Sequence, residues 1–320
     1  MMIRSIYVTV IFIIVNYPLL ACDADFEETE PESMLESVAN GVHSTVSAEI
    51  ISISNKIDNF FVEERMEEEG SKSRLIISSF QSADTDLNVK QQFQFKGRLN
   101  FPKTQNRLRL VVESSIERDQ LVEGEQVTGD TTAGTSQVED YSTALQFIFT
   151  QSDKWQFSNK VGVRFRVPVD PFVRFRLRRS FFQNSWQFRI VETVAWYQSE
   201  GWGSTTNFDL ERPVNQKLFF RESSRFNILN NDRDLLYDQS FSLFHTIRNK
   251  KIIVYSIGMN SQITDPIEVS KYFLNMKFRY NFFNKWAFFD IVPELAMEKE
   301  YDFKLLPRLS LQLDIVFGKV

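Results

Sequence analysis

The sequence has few of the residues that enzymes and metal proteins use. Among its 320 residues there is one cysteine, Cys22, and there are two histidines, His43 and His245. A lone cysteine excludes an intramolecular disulfide, and with two distant histidines it does not give the ligand spacing of a zinc site. Glycine is scarce, at 11 residues, and no glycine-rich loop could cradle a phosphate. The sequence therefore predicts no metal and no cofactor.

Long apolar runs are also lacking, except at the start of the chain. MMIRSIYVTVIFIIVNYPLLAC has a basic residue, Arg4, then a largely apolar run over residues 6–15, then small residues. These are the three parts of a secretory signal peptide, and the run is too short to favour a permanent membrane helix. Residues 1–21 are therefore expected to be a signal peptide, with a retained anchor as the alternative.

The single cysteine follows this segment directly. Leu19-Leu20-Ala21-Cys22 resembles the lipobox of bacterial lipoproteins, in which the cysteine thiol is acylated. The resemblance makes Cys22 a lipidation candidate, and acyl chains there would tether the mature N-terminus to a membrane surface. Ordinary cleavage near Ala21 or Ala24 would leave the same sequence, so both alternatives stand.

Residues 22–73 combine acidic stretches with a helical pattern. DADFEETEPES, at 23–33, is acidic and poor in apolar residues, which is typical of a solvated linker. Over residues 34–61 apolar side chains recur at steps of three or four, the spacing of an amphipathic helix. Such a helix could form a coiled coil, plug a lumen, lie on a membrane or pack against its own chain. We expect this segment in the periplasm or in a lumen.

From Arg74 onward the period of the apolar residues changes to two. In KWQFSNKVGVRFRVPV, at 154–169, apolar and polar residues alternate, and a strand sends such neighbours to opposite faces. About fourteen runs of this kind follow one another: 74–82, 87–101, 107–117, 140–151, 155–167, 172–182, 186–198, 205–212, 217–229, 234–247, 250–262, 268–282, 286–299 and 304–318.

Three features distinguish a membrane barrel from a soluble β-sandwich. Many runs exceed the roughly 5–6 residues of soluble strands and reach the ~9–11 that a tilted membrane strand needs. Short connections alternate with longer ones, such as residues 118–139, which would place both termini on the periplasmic side. Trp155, Trp186 and Trp286 each follow a short turn, as an interfacial aromatic girdle requires. Ordinary core tryptophans are the alternative.

Residues 74–320 thus resemble the outer-membrane β-barrel proteins of Gram-negative bacteria as a class. The terminal stretch LSLQLDIVFGKV alternates like the last strand of that class, although Gly318, Lys319 and Val320 follow its aromatic residue. The resemblance implies an all-β fold: a transmembrane, antiparallel, up-and-down barrel of about 14 strands, within a range of 12 to 16. It also implies an outer-membrane location, with membrane lipid as the first partner.

If the apolar alternates face lipid, the barrel interior is rich in cations. Arginine or lysine in the lipid belt would cost about 2–4 kcal/mol at mid-membrane, so these side chains are assigned to the lumen. The candidates are Arg98, Arg109, Lys160, Arg164, Arg166, Arg174, Arg176 and Arg178. Glu113, Glu117, Asp290, Glu294, Glu298 and Asp314 are potential counter-charges, mostly on other strands.

Glu192 and Glu222 are exceptions, because both are in phase with apolar neighbours. A bulge or a register change would turn them inward, toward Arg189 or Arg221. We therefore expect an irregularity in the strands that carry them.

An enzyme is not expected. Outer-membrane phospholipases and lipid A deacylases use histidine, but His245, in SFSLFHTIRN, lies on the presumed lipid side near a short turn. No serine motif accompanies it, and a base needs a nucleophile within hydrogen-bond reach. The cations alternate within strands instead of forming an exposed patch, which argues against nucleic acid.

Two functions remain open. One is a channel or export component whose arginine- and lysine-rich lumen favours anionic solutes. The other is a structural barrel without transport, in which the interior charges pair across a filled lumen and residues 34–61 dock on another envelope protein.

Overall fold

The fold is a closed antiparallel β-barrel of fourteen strands. The computed structural model describes residues 73–83, 89–104, 107–116, 139–152, 154–229, 235–248, 250–263, 267–283 and 286–318. The signal peptide, the acidic linker, the amphipathic helix and Cys22 lie outside these residues. No helix in the described ranges is long and apolar enough to cross a membrane.

The fourteen strands follow one another around the barrel in their order along the chain. The strands are β1 (Arg74–Ala83), β2 (Val89–Asn100), β3 (Leu108–Ile116), β4 (Glu139–Gln151), β5 (Trp155–Arg164), β6 (Asp170–Gln183), β7 (Trp186–Tyr197), β8 (Gly201–Pro213), β9 (Leu218–Leu229), β10 (Leu235–Arg248), β11 (Lys251–Ile263), β12 (Glu268–Phe283), β13 (Ala287–Glu298) and β14 (Leu305–Gly318). Two 3₁₀ turns, Pro102–Thr104 and Lys299–Tyr301, lie between β2 and β3 and between β13 and β14.

The barrel closes by pairing its first strand with its last. β1 and β14 are antiparallel from Arg74 opposite Gly318 to Ala83 opposite Leu309, and every other strand pairs with its neighbours in sequence. Closure leaves no strand edge without a hydrogen-bonding partner, which a bilayer demands because its core has no water to satisfy backbone groups. The predicted architecture and the number of strands are confirmed.

The outer surface of the barrel is an apolar belt. Exposed large side chains alternate with buried ones along the strands, as in β14, where Leu305, Leu309 and Phe317 are exposed and Gln312 and Asp314 are buried. A soluble protein has the reverse arrangement, with apolar groups inside. The strands are 9 to 16 residues long, enough to span a bilayer core at a tilt. The barrel is therefore transmembrane.

Some strand limits differ from those predicted. β5 ends at Arg164, three residues before the end of the predicted run, so Arg166 lies in the connection to β6. β8 begins at Gly201, and not at residue 205, because Trp202, Ser204 and Thr206 extend the outward face with a mixture of polar and apolar side chains. The β7–β8 connection is consequently three residues, 198–200.

Glycine permits one close approach inside the wall. A Cβ at Gly258, on β11, would lie 2.6 Å from Cζ of Phe273 and 2.5 Å from the carbonyl oxygen of Gln239. Both distances are too short for carbon, so only glycine lets the Phe273 ring lie against β11. Phe273 is 3% exposed, and the missing side chain is what allows its burial.

Candidate functional site

The interior face of the barrel is the candidate site, because it gathers most of the buried charge. Two arcs of this face differ in composition. We call β1–β6 the basic arc and β7–β14 the compensated arc, from the pairing described next.

In the first strands of the compensated arc, cations face carboxylates across neighbouring strands. Nε of Arg189 on β7 donates to Asp209 on β8 at 2.9 Å. Nε of Arg221 on β9 donates to Glu211 on β8 at 2.8 Å. All four side chains are buried, and burial without a counter-charge would be far more costly than burial as a pair.

A denser network fills the interior beside β12, β13 and β14. Arg279 donates through Nε and Nη2 to the two oxygens of Asp290, both at 2.7 Å, and also contacts Asp314. Nζ of Lys277 lies 3.2 Å from Asp290. Nζ of Lys271 lies 3.0 Å from Glu294. These carboxylates, which the sequence identified as potential counter-charges, neutralise their own arc.

Beside Glu294, Arg308 on β14 donates to Glu298 on β13 at 2.5 and 2.7 Å. The fork of two parallel bonds fixes both side chains, since guanidinium and carboxylate planes match in this geometry. A carboxylate thus faces each of six cations on these strands: Arg189, Arg221, Lys271, Lys277, Arg279 and Arg308.

In the basic arc, the strand register places no carboxylate directly opposite Lys160 or Arg174. Lys160 on β5 lies opposite Arg174 on β6 and opposite Gln146 on β4. Both cations are buried, at 4% exposure. Arg176, also buried, lies opposite Ser158 and Thr193. Register thus sets two cations side by side without a carboxylate directly opposite either one.

Arg98 and Arg109 extend the basic arc onto β2 and β3. Arg98 lies opposite Arg74 on β1 and Val111 on β3, and Arg109 lies opposite Gln146 on β4. All three arginines are buried. The structure therefore brings five of the eight predicted cations, Arg98, Arg109, Lys160, Arg174 and Arg176, to one side of the interior.

The other three predicted cations have different surroundings. Arg164 contacts Asp170 and donates to Glu200 at 2.9 Å, and Arg166 donates to Glu200 at 3.0 Å. These pairs occupy the end of β5 and the connections at that end of the barrel. Arg178 is half-buried near the opposite end, where its Nη2 donates to the carbonyl of Ser152 at 2.8 Å.

Two aromatic rings hold arginines of the basic arc in place. The Cζ atom of Arg164 lies 4.0 Å from the centre of the Tyr197 ring, and Nη2 of Arg174 donates to the Tyr197 hydroxyl at 2.8 Å. Phe172 packs against Tyr197 with ring centres 5.5 Å apart. Sequence reasoning did not identify Tyr197, although its position in β7 is in phase with the polar residues of that strand.

The imbalance between the arcs can be counted among the described side chains that are buried. β1–β6 carry seven cations (Arg74, Arg98, Arg109, Lys160, Arg164, Arg174 and Arg176) and one carboxylate (Asp170), an excess of 7 − 1 = 6. β7–β14 carry six cations (Arg189, Arg221, Arg225, Lys271, Lys277 and Arg279) and six carboxylates (Asp209, Glu211, Asp290, Glu294, Glu298 and Asp314). Lys96 and the predicted counter-charge Glu113 face each other on β2 and β3 and leave the excess unchanged.

A polar recess opens on the compensated side. It is lined in part by Asn207, Asp209, Arg225, Asp238 and Asn260. Asn260 donates to Asp238 at 2.7 Å, and Arg225 donates to Asn207 at 3.0 Å. Its lining thus combines one cation, Arg225, with two carboxylates, Asp209 and Asp238.

The expectation that Glu192 and Glu222 turn inward is wrong. The β7–β8 and β8–β9 ladders run without a bulge, and both glutamates point outward while Arg189 and Arg221 pair with Asp209 and Glu211 instead. Outward hydroxyls stabilise Glu192: Oγ of Ser204 and Oγ1 of Thr206 each donate to it at 2.5 Å. Hydroxyl donors on β8 thus satisfy Glu192 in its outward position, without a change of register.

Tryptophans mark both rims of the barrel. Trp155, Trp186 and Trp286 lie at one end, where Arg179 stands over Trp155 at 4.5 Å and Arg212 over Trp186 at 5.1 Å. Trp196 and Trp202 face each other at the other end, and both are exposed. Trp202 follows the turn QSEG in the sequence, a signal that could have located the second rim.

In the part of the chain that the structure describes, candidate catalytic or metal-binding groups are not gathered into a site. His245 lies outward on β10, half-buried, opposite Leu218 and Ile253. Within the described ranges, no three histidine, cysteine or acidic side chains are arranged to hold a metal ion. Glu117 and Cys22 lie outside the described residues.

Comparison with known proteins gives resemblance in fold. No family model matches the chain, and no curated protein matches it. Among solved structures, the high-pH structure of OprB from Pseudomonas putida is similar at 9% identity, over 77% of this chain and 94% of that chain, with a TM-score of 0.46. The outer-membrane channel DcaP of Acinetobacter baumannii is similar at 7% identity, over 77% and 96%, with a TM-score of 0.44.

A KdgM porin in complex with disordered oligogalacturonate is similar at 11% identity, over 55% of this chain and 92% of that chain, with a TM-score of 0.35. Likeness at this level carries no argument about function. The barrel itself locates the protein: an even number of antiparallel strands, an apolar belt and aromatic rims define the outer-membrane barrels of Gram-negative bacteria. The protein is an outer-membrane barrel of this class.

Proposed function

We propose that the protein is an outer-membrane channel whose basic arc favours anionic solutes. One observation carries the proposal: among the described buried side chains, cations exceed carboxylates by six in β1–β6, while the two balance in β7–β14. Like charges gathered in a confined, low-dielectric space raise the local concentration of counter-ions. A solute with carboxylate or phosphate groups would lower the repulsion between Lys160 and Arg174, which stand side by side.

The compensated arc supports this proposal in a different way. Its ion pairs, such as Arg189 with Asp209 and Arg279 with Asp290, hold neighbouring strands together without adding net charge. A channel needs a wall that keeps its shape, and a network of satisfied buried pairs is rigid. The basic arc is then the part of the wall that acts on the solute.

A barrel without transport is the second candidate, and the depth of burial favours it. Interior side chains such as Arg109 and Arg279 are only 1% exposed, which suits a filled lumen. The acidic residues of the segment 22–73 would be natural counter-charges for the basic arc if that segment plugs the barrel, as its helical pattern allows.

Planar-bilayer conductance of the purified barrel tests the first candidate. We expect stable conductance steps, and across a salt gradient a reversal potential whose sign indicates preference for anions. A bilayer that stays sealed would reject the channel. Removing residues 23–73 while keeping export discriminates the second candidate, because conductance that appears only after this deletion identifies the segment as a plug.

The N-terminal region enters the proposal as expected from the sequence. We take residues 1–21 as the export signal that an outer-membrane location requires, and residues 22–73 as a periplasmic or lumenal segment. Docking of residues 34–61 on another envelope protein belongs to the second candidate, and co-purification that is lost with this segment would support it.

A further inference from the structure

The apolar belt is interrupted on one side of the barrel. Along the outward faces of β7 to β10, two polar clusters stand at the middle of the strands. The first consists of Glu192, Ser204 and Thr206. The second consists of Glu222, Ser224, Tyr237 and Gln239. Among the described outward side chains, Glu192 and Glu222 are the only carboxylates away from strand ends.

Each cluster wraps its carboxylate in hydrogen-bond donors. In the first, Ser204 and Thr206 donate to the two oxygens of Glu192, both at 2.5 Å. In the second, Oγ of Ser224 donates to Glu222 at 2.7 Å and the amide of Gln239 approaches it at 3.5 Å. The donors are neutral, so neither carboxylate has a cation beside it in these contacts.

A polar patch of this kind fits a protein surface better than acyl chains. Hydrocarbon offers no donor to the remaining carboxylate lone pairs, and polar groups at this depth normally face other protein. The rest of the belt follows the rule, since the outward residues of β13 and β14 are apolar, among them Leu295, Leu309 and Leu313. Asn159 on β5 is a neutral polar side chain that also faces outward, but the described outward carboxylates away from strand ends are confined to β7–β10.

The arrangement suits a two-fold contact. Two barrels inserted in the same direction are related by an axis parallel to the membrane normal, and such an interface uses the same patch on both copies. With this axis outside the junction of β8 and β9, β8 of one copy faces β9 of the other and β7 faces β10. The first cluster of each copy then faces the second cluster of the other.

Arg212 supplies the matching charge. It is exposed and outward on β8, two residues beyond Leu210, which lies opposite Glu222 in the β8–β9 ladder. Within one copy its guanidinium stands over the Trp186 ring. In the two-fold arrangement it meets β9 of the other copy, about 7 Å along the strand from the level of Glu222, which is within the reach of an arginine side chain.

We propose that the outward face of β7–β10 is a self-association surface, on which a second copy of this chain covers both carboxylate clusters and places its Arg212 against Glu222. Conduction through a single barrel does not depend on this contact, so the proposal and the channel can fail separately.

Charge reversal tests the surface in the full-length mature protein. We expect the wild type to have the mass of two protomers by light scattering in mild detergent and to cross-link as a dimer in membranes. Arg212→Glu should raise the dissociation constant about tenfold or more, because it places like charges at the contact. Glu222→Arg alone should do the same, and the double reversal should restore the dimer.

Arg179→Glu is the matched control, because Arg179 is also an outward arginine over a rim tryptophan but lies on β6. Folding of every variant is checked by heat-modifiable migration in gels, and Glu222→Gln replaces Glu222→Arg if the latter does not insert. A monomeric wild type overturns the proposal, as does a dimer that Arg212→Glu leaves unchanged. A complex whose mass is no multiple of the protomer identifies a different partner and overturns it too.

Discussion

Neutralising the centre of the basic arc is expected to weaken anion preference by a calculable amount. The variant replaces Lys160, Arg174 and Arg176 with glutamine, which halves the buried excess of six positive charges. These three residues are chosen over Arg164 and Arg166, since the latter pair with Asp170 and Glu200 at the end of the barrel. The replacement is therefore aimed at charge and spares those ion pairs.

The magnitude follows from the size of the barrel. Fourteen strands spaced about 4.8 Å apart and tilted by about 40° enclose a backbone radius of about 14 Å, so the charged groups stand about 10 Å from the axis. In water, one charge at that distance changes the energy of a monovalent ion by about 0.4 kcal/mol, with opposite sign for anion and cation. The anion-to-cation ratio thus changes about fourfold per charge without screening.

Salt reduces this effect in a predictable way. At 0.1 M the Debye length is about 10 Å, which lowers the interaction about threefold. Removing three charges then changes the free-energy difference between a permeating anion and a permeating cation by about 0.9 kcal/mol. The wild type is then expected to prefer anions about twentyfold, and the variant about fivefold. The reversal potential across a salt gradient measures both ratios, and dilution toward 0.01 M should enlarge the difference because screening weakens.

The control variant removes two opposite charges and leaves the net charge of the barrel interior unchanged. Lys271→Gln with Glu294→Gln deletes one cation and one carboxylate that lie 3.0 Å apart in the compensated arc. Its reversal potential should match that of the wild type. A folded triple variant with unchanged selectivity would refute the reasoning that the excess charge of β1–β6 acts on permeating ions.

Three further outcomes are expected. Asp290→Asn should lower the unfolding free energy by about 3–5 kcal/mol in urea titrations in detergent, because it deprives buried Arg279 and Lys277 of their shared carboxylate; a cost near that of an exposed pair would contradict the network. Gly258→Ala should lower the free energy of unfolding by about 1–3 kcal/mol through overlap with Phe273, and adding Phe273→Leu should recover part of this loss. Gly97→Ala is the control, because a Cβ there would make ordinary contact at 3.5 Å. Trp202, exposed at one rim, should be quenched by lipids brominated near the headgroup more than by lipids brominated near the chain ends, and equal quenching would contradict its placement.

The architecture was predictable because the inward and outward residues of a barrel strand alternate along the sequence. Strands such as β14, with Leu305 to Phe317 outward and Gln312 and Asp314 inward, have a clean period of two, and the predicted run 304–318 matches them. β8 was harder. Its outward face includes Ser204 and Thr206, so the alternation is blurred where polar residues serve both faces, and the start of the strand was placed four residues late.

The faces of the cations were predictable, but their partners were not. Alternation alone assigns Lys160 and Arg174 to the interior, whereas the pairing of Arg189 with Asp209 depends on the register between β7 and β8. Register is set by turns and by packing across strands, and the sequence pattern contains it only indirectly. The error at Glu192 has the same origin, because its donors Ser204 and Thr206 are on the neighbouring strand.

The contrast between the two arcs is itself an argument for function. In the compensated arc, buried charges pair locally. Asp290, for example, accepts hydrogen bonds from Arg279 and lies close to Lys277. The same chain places Lys160 opposite Arg174, although a glutamate opposite either of them would stabilise the wall. Pairing between side chains on neighbouring strands therefore balances the buried charges described for β7–β14, and it does not balance those described for β1–β6. A charge excess among the described side chains of one arc, beside a balanced arc, is expected where the wall attracts a solute that is itself negative.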